Sequence, residues 1–190
     1  VLKLFDLTPD IDLDIMRKNQ DLFDVTSKIL LKMRATLKNI NPNIVLVHGD
    51  TTTAYATALA CFYLGIKVGH VEAGLRTNTI NAPFPEEYNR RSAGLIADYH
   101  FAPTSVNKNN LLAEGKSEES VIVTGNTVID SLHLVLSNIN KDKNKSVHIE
   151  TRLGNLLNFD WKTNQFILIT GHRRENFGDG FLEICKGLRD

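Results

Sequence analysis

Asn43-Ile-Val-Leu-Val-His-Gly-Asp50-Thr-Thr-Thr53 is the segment around which the predicted fold is organised. One predicted helix later, the same pattern recurs in Lys67-Val-Gly-His-Val-Glu72-Ala-Gly-Leu-Arg76-Thr77. Each stretch opens with a short apolar run rich in β-branched residues and ends in a carboxylate close to a glycine. This pattern is typical of a buried parallel strand, and open α/β sheets bind ligands at the carboxyl ends of their strands. We therefore predict that Asp50 and Glu72 face one crevice.

The amino-acid composition bears on which kinds of partner the protein can have. The chain has 190 residues, of which 42% are hydrophobic, and this is enough to bury a core. Lysine and arginine together number 22, as do aspartate and glutamate, so the overall charge gives no support for a nucleic-acid partner. The sequence contains neither an apolar run of roughly 18 residues nor a signal-peptide pattern. We therefore predict no membrane partner and a cytoplasmic location.

Strands and helices alternate along most of the chain at the spacing of βαβ units. We predict a parallel sheet with right-handed crossovers, so the fold class is α/β, a Rossmann-like doubly wound sheet. The predicted strands of this sheet cover residues 44–47, 67–71, 99–102 and 121–124. The predicted helices cover residues 20–38, 54–64, 86–97 and 105–114, with a further helix after residue 126. Residues 1–5 also resemble a strand.

Composition also divides the chain into three parts. Residues 1–126 form the predicted N-terminal Rossmann-like domain, which lacks its start. Residues 127–164 contain a crossing helix and a polar, lysine-rich interdomain connection, with a short helix over 147–157. Residues 165–190 begin a second Rossmann-like domain, whose first strand, at 166–170, belongs to a separate sheet across a cleft. We expect a two-domain architecture that is incomplete at both ends.

The common cofactor motifs are missing from the sequence. It has no Gly-x-Gly-x-x-Gly, no P-loop and no His-Glu-x-x-His, so we predict neither a cofactor nor a metal. The chain offers instead carboxylates and cations at the predicted ends of strands and helices. Such a mixture suits an anionic ligand whose carbon framework undergoes proton transfer. The candidates are Asp50, Glu72, Glu86, Arg76, Arg90 and the turn His172-Arg173-Arg174.

Each carboxylate also has a structural interpretation. Asp50 could act only as the N-cap of the helix after it, and Glu72 could form a buried ion pair with Arg76. Glu86 and Glu87 could simply favour the dipole of the helix that they begin. The context of Asp50 and Glu72 favours a site, because buried strands deliver both carboxylates to the predicted crevice.

The histidines divide into two groups. His48 and His70 lie inside predicted strands, and we interpret them as hydrogen-bonded core residues rather than ligands. His172 follows a predicted strand in a glycine-containing turn beside two arginines, which favours a role in a site. One histidine, from the predicted second domain, therefore joins the candidates.

Five motifs occur in a fixed order from about residue 41 to the end of the chain. They are Val47-His-Gly-Asp-Thr-Thr-Thr53, Gly69-His-Val-Glu-Ala-Gly-Leu-Arg-Thr77, Pro85-Glu-Glu-Tyr-Asn-Arg90, Thr124-Gly-Asn-Thr-Val-Ile-Asp130 and Thr170-Gly-His-Arg-Arg-Glu-Asn-Phe-Gly178. Through them the sequence resembles the non-hydrolysing UDP-N-acetylglucosamine 2-epimerases of bacterial surface-polysaccharide synthesis. The resemblance implies two Rossmann-like domains that face a cleft, the glycosyltransferase B-type architecture.

The resemblance also implies a reaction and a set of site residues. The reaction interconverts UDP-GlcNAc and UDP-ManNAc by eliminating UDP to give 2-acetamidoglucal and adding it back, so UDP-GlcNAc, UDP-ManNAc and UDP are the implied ligands. Asp50, Glu72 and Glu86 are the implied catalytic carboxylates, and His172 meets the nucleotide diphosphate from the second domain. The resemblance also implies that the protein forms a homodimer. The cations expected to bind substrate are Arg76, Arg90 and Arg173.

Other functions stay open at this point. A hydrolysing epimerase would release ManNAc and UDP, a glycosyltransferase of the same fold would need an acceptor, and a non-catalytic module would bind the sugar nucleotide without turnover. We expect the 190-residue chain alone to be inactive, because a catalytic constellation requires all its groups to be held in register.

Overall fold

The computed structural model of the protein describes residues 2–170 and 178–189, which form two compact units. One unit consists of Asp10–Asn126, and the other combines residues 1–9 with residues 127–190. The three candidate carboxylates, Asp50, Glu72 and Glu86, all belong to the Asp10–Asn126 unit.

A four-stranded parallel sheet forms the centre of the Asp10–Asn126 unit. The strands lie in the sheet in chain order, so each strand pairs with the one that precedes it in the sequence. The strands are β1 Ile44–His48, β2 Lys67–Val71, β3 Tyr99–Ala102 and β4 Val121–Val123. The predicted parallel sheet is confirmed, and its strand bounds agree closely because the β-branched runs that predict them form the strands.

Four helices accompany the sheet, and capping residues mark the starts of α1 and α2 and the end of α2. They are α1 Leu22–Ile40, α2 Thr52–Leu64, α3 Glu86–Ile96 and α4 Ser105–Ala113. Asp21 and Asp24 form a capping box at the start of α1, in which each side chain accepts the backbone N–H of the other residue. The hydroxyl of Thr51 accepts the N–H of Ala54 at the start of α2. This helix ends at Gly65, which has a left-handed backbone with φ of 67°.

Helix α2 packs against α1, α3, β1 and β2. Its alanines permit a close approach, and Ala56 and Ala58 are fully buried. The core beside α2 contains Val47 of β1 and Val68 of β2, which lie on the same face of the sheet. Leu46 lies on the opposite face and is 62% exposed. The helices thus fix the sheet from one face, while the loops at the carboxyl ends of the strands carry the polar candidates.

Helices form most of the second unit in the part of it that the structure describes. Its helices are α5 Thr127–Lys141, α6 Lys143–Leu156 and α7 Asp179–Arg189. The assignment of residues 127–164 to a crossing helix and an interdomain connection stays a prediction. The short helix predicted at 147–157 forms, but it begins earlier, at Lys143. The reason is Asp142, whose carboxylate caps α6 by accepting the N–H groups of Asn144 and Lys145. Lysine itself is a good helix former once the first turn is capped.

Two segments predicted to be strands have other conformations. Leu2–Phe5 is a short 3₁₀ helix, and residues 165–170 have no regular secondary structure. In the described part of the chain the strands are β1 to β4, and none of them pairs with residues 166–170. Ile167 and Leu168 are accordingly 87% and 81% exposed. The predicted strand does not form here because a strand needs a neighbour for its backbone hydrogen bonds.

Candidate active site

The carboxyl ends of β1 and β2 bring Asp50 and Glu72 to the same edge of the sheet. Gly49 turns the chain out of β1 with a φ of 72° and donates its N–H to the carbonyl of Val71 at 2.9 Å. A Cβ on Gly49 would lie 3.2 Å from Oε2 of Glu72, so glycine leaves room for the carboxylate. Glu72 itself has a φ of 67°. This strained backbone is of the kind that clusters at active sites.

Asp50 is held by helix α3 and does not cap a helix. Its Oδ2 accepts a hydrogen bond from Nη2 of Arg90 at 2.5 Å, and its backbone carbonyl accepts one from Nδ2 of Asn89 at 2.9 Å. Thr51 caps α2 instead, so the N-cap interpretation of Asp50 is wrong. The side chain of Asp50 is 31% exposed, whereas that of Arg90 is 9% exposed. The carboxylate is therefore fixed on one side and accessible on the other.

Glu72 lies next to a histidine rather than an arginine. Its Oε2 is 3.7 Å from Nε2 of His48, whose side chain is 56% exposed and not in the core that the sequence predicts. Arg76 forms a two-point ion pair with Glu114 at the end of α4, with distances of 2.6 and 2.7 Å. The predicted alternative of an ion pair between Glu72 and Arg76 is therefore wrong. Arg76, with a side chain 3% exposed, ties the loop after β2 to α4.

The two glutamates at the start of α3 differ in their surroundings. Glu86 is half-buried at the first residue of the helix, whereas Glu87 is fully buried. Glu87 accepts the N–H of Thr77 at 3.2 Å and Nε of Arg91 at 2.8 Å. Nη1 of Arg90 lies 3.5 Å from the same carboxylate. Sequence reasoning missed this cluster, although arginines three and four residues after a glutamate are the helical ion-pair signal.

The surroundings of Glu87 favour its ionised form despite its burial. Burial alone would raise the pKa of this carboxyl, but hydrogen bonds from Arg91 and Thr77 and the charge of Arg90 hold the pKa below its usual value. A buried carboxylate without partners would be strongly destabilising. Glu87 is therefore a buried anion that binds a loop and two arginines at once.

Two buried histidines lie in the strands that lead to the site. His70 and His100 pair across β2 and β3, and each is 1% exposed. Nε2 of His70 lies 2.8 Å from the carbonyl oxygen of Gly49, which confirms the predicted hydrogen-bonded core histidine. Burial lowers the pKa of His70, and burial together with the charge of Lys116 lowers the pKa of His100 to about 4. Both rings are therefore neutral near pH 7.

Part of the predicted site lies outside the described residues. His172 and Arg173 fall within residues 171–177, so their roles stay predictions. Across residues 2–170 and 178–189, no group of three or more His, Cys, Asp or Glu side chains could hold a metal ion. In the same ranges, no helix combines the length and apolar character needed to cross a bilayer. The described site is a set of carboxylates, of which Asp50 and Glu87 are anchored by arginines.

Comparison with known proteins identifies the family. The profile of the UDP-N-acetylglucosamine 2-epimerases matches residues 1–190. The chain belongs to this family. The UDP-N-acetylglucosamine 2-epimerase of Campylobacter jejuni is 53% identical over 192 residues, which cover 100% of the chain and 49% of that enzyme. The chain therefore spans about half the length of this relative.

Solved structures of UDP-GlcNAc 2-epimerases confirm the predicted fold class. The enzyme from Neisseria meningitidis, bound to UDP-GlcNAc, is 44% identical and matches with a TM-score of 0.85 over 98% of this chain and 51% of its own. The enzyme from Methanocaldococcus jannaschii, in complex with UDP-GlcNAc and UDP, is 34% identical and has a TM-score of 0.85 over 98% of this chain and 49% of its own. The chain thus has the Rossmann-like α/β fold of these neighbours over about half of their length.

Proposed function

We propose that the protein is a UDP-N-acetylglucosamine 2-epimerase that interconverts UDP-GlcNAc and UDP-ManNAc without hydrolysis, for the synthesis of a surface polysaccharide. One observation carries the proposal: Glu72 and Asp50 lie at one sheet edge, and Glu86 begins the helix that holds Asp50. Family membership supports the choice of sugar nucleotide. The homodimeric state and the cytoplasmic location stay predictions from the resemblance and the sequence.

The reaction requires acid and base groups on both faces of the sugar ring. The C2 proton is not next to a carbonyl group, so its direct removal is slow. Loss of UDP from C1, with the C1–O electron pair, while a carboxylate takes the C2 proton gives neutral 2-acetamidoglucal. Addition of UDP back to C1, with protonation of C2 from the opposite face, inverts C2. We assign these proton transfers to Asp50, Glu72 and Glu86.

The departing diphosphate also needs positive charge or hydrogen-bond donors. Arg90 is bound to Asp50, and Arg76 is bound to a carboxylate of α4. We therefore propose that Arg90 acts on the substrate by orienting Asp50. From the resemblance we assign the diphosphate to His172 and Arg173, assisted by the backbone N–H groups at the start of α2.

Product analysis tests the proposal. The full-length protein is incubated with UDP-GlcNAc, and the products are separated by anion-exchange chromatography and identified by NMR. We expect UDP-ManNAc without free ManNAc, because the non-hydrolysing reaction returns UDP to C1. Free ManNAc together with UDP would identify a hydrolysing epimerase instead. Binding of UDP-GlcNAc without any product would identify a non-catalytic module.

A further inference from the structure

Glu87 has contacts that its place in the first turn of a helix does not explain. It is fully buried, although Glu86 before it is only half-buried. Its Oε2 accepts the N–H of Thr77 at 3.2 Å, and Thr77 lies within the loop that begins with Glu72 and leads to α3. Its Oε1 accepts Nε of Arg91 at 2.8 Å. Glu87 therefore joins the loop after β2 to helix α3.

The same carboxylate reaches Asp50 through Arg90. Nη1 of Arg90 is 3.5 Å from Oε2 of Glu87, and Nη2 of Arg90 is 2.5 Å from Oδ2 of Asp50. The Arg90 side chain is 9% exposed, and its Nε has no hydrogen-bond partner in the described residues. Two carboxylates on either side thus determine where this guanidinium lies. Loss of the charge at Glu87 would leave Arg90 held by Asp50 from one side.

We propose that Glu87 is a positioning residue for the epimerase reaction proposed above, on which this inference rests. Its carboxylate fixes the Glu72 loop at Thr77 and, through Arg90, fixes the orientation of Asp50. Because Glu86 is its neighbour in the chain, one buried anion sets the relative placement of all three catalytic carboxylates. Such placement matters, since a displacement of about 1 Å can lower a rate about a hundredfold.

Replacement of the carboxylate by an amide tests the proposal. Glu87→Gln in the full-length protein keeps the size of the side chain but removes its charge, and it turns N–H donors towards Thr77 or the arginines. We expect kcat for UDP-ManNAc formation to fall by at least about tenfold while KM for UDP-GlcNAc changes by less than about twofold, because the fully buried Glu87 would act through Thr77 and Arg90 rather than on the substrate. A purely structural role would lower the melting temperature and leave kcat of the folded enzyme unchanged.

Glu118→Gln is the matched control. It removes the ion pair that Glu118 forms with Lys108 at 3.0 Å in the same unit, so it tests whether any lost ion pair slows turnover. We expect its kcat to stay within about twofold of the wild-type value.

A double variant tests the route through Arg90. Arg90→Lys keeps the charge but lacks the planar guanidinium, whose Nη1 and Nη2 face the two carboxylates separately. In that background, Glu87→Gln should therefore cause a smaller further loss of kcat than it does in the wild type. Full additivity of the two losses would contradict transmission through Arg90 and overturn that part of the proposal.

The outcomes separate this inference from the proposed function. A folded Glu87→Gln enzyme with kcat within about twofold of wild type overturns this inference alone. If Glu87→Gln does not fold, Glu87→Asp decides, because it keeps the charge but is too short to hold Thr77 in the same geometry. A kcat loss of at least about threefold with unchanged KM supports the inference, and wild-type kcat in this variant overturns it. A wild-type enzyme that forms no UDP-ManNAc overturns the proposed function and this inference with it.

Discussion

Single side chains carry the chemistry at the edge of the sheet. Asp50, Glu72 and Glu86 are each partly accessible, and an amide in place of each carboxylate preserves shape but not proton transfer. We expect Asp50→Asn, Glu72→Gln and Glu86→Gln in the full-length protein each to lower turnover by about a hundredfold or more, the scale of lost acid-base catalysis. Steady-state kinetics measures the loss, and circular dichroism checks that each variant is folded.

Asp98→Asn is the control for these three variants. The Asp98 carboxylate accepts the N–H of Val68 at 2.8 Å, near the amino-terminal end of β2 and thus at the opposite edge of the sheet. Its turnover should stay within about twofold of wild type. Near-normal turnover in a folded Asp50→Asn protein would remove that residue from the catalytic set.

The buried histidines predict a pH dependence of stability. The pKa of His100 is about 4 in the fold against an ordinary value of 6.5, so the folded state binds this proton more weakly than the unfolded state. The stabilisation is complete above pH 6.5 and is lost as the pH falls through 4. The pKa of His70 is lowered in the same direction. We expect the free energy of unfolding to fall on the order of 2 kcal/mol between about pH 7 and pH 5.

Urea unfolding of the chain at several pH values measures this dependence. Glu87 and Glu114 lose their stabilising charge only below the ordinary glutamate pKa of 4.5, so the histidines dominate above that pH. His100→Gln should flatten the curve in the same window. An unchanged slope in this variant would show that His100 is not the titrating group.

The sequence identifies site residues that end a strand but not those that pair across the fold. Asp50 and Glu72 are predictable because each ends an apolar run that can only be a buried strand. The contact of Asp50 with Arg90 joins residues 40 positions apart, and it depends on how α3 packs against the sheet. The pairing of Arg76 with Glu114 joins residues 38 apart and depends on α4 in the same way.

At the scale of elements, the loop after β2 is pressed against helix α4. Gly74 in this loop has a φ of 88°, and a Cβ there would lie 2.3 Å from the backbone oxygen of Asn107. Backbone cannot give way as a side chain can, so we expect Gly74→Ala to lower the free energy of unfolding by about 3 kcal/mol or more. Urea denaturation measures this change.

The Gly115→Ala variant distinguishes the cost of the steric clash with α4 from the cost of the left-handed backbone conformation. Gly115 has a similar φ of 85°, but nothing lies within 4 Å of an added Cβ. The left-handed conformation alone should therefore cost about 1 kcal/mol. Equal losses in the Gly74→Ala and Gly115→Ala variants would contradict the close contact between the loop and α4.

An apolar run is correctly predicted as a strand where a neighbouring strand pairs with it, and wrongly predicted where no such partner is present in the described part of the chain. The runs that form β1 and β2 become strands because each finds a parallel partner. Residues 166–170 are equally apolar, but no described strand lies beside them. For helix α6 only the start is missed: the predicted helix covers residues 147–157, whereas Asp142 caps a helix that begins at Lys143.

At the scale of the whole molecule, the chain spans 49% of a relative that covers it completely. The proposed reaction needs the Asp50 edge together with a second group of residues around His172, held in register. We expect the 190-residue chain alone to form no UDP-ManNAc under conditions in which the full-length protein does. Full activity in the short chain would show that the functional unit is smaller than proposed.

Incorporation of solvent hydrogen at C2 shows directly whether the carboxylates at this sheet edge remove and return the C2 proton. The full-length protein and its Asp50→Asn and Glu72→Gln variants are incubated with UDP-GlcNAc in D₂O, and deuterium at C2 is followed by NMR. We predict deuterium in both UDP-ManNAc and recovered UDP-GlcNAc for the wild type, with exchange slowed about a hundredfold or more in both variants. Conversion without deuterium at C2, or wild-type exchange in both folded variants, would contradict this account.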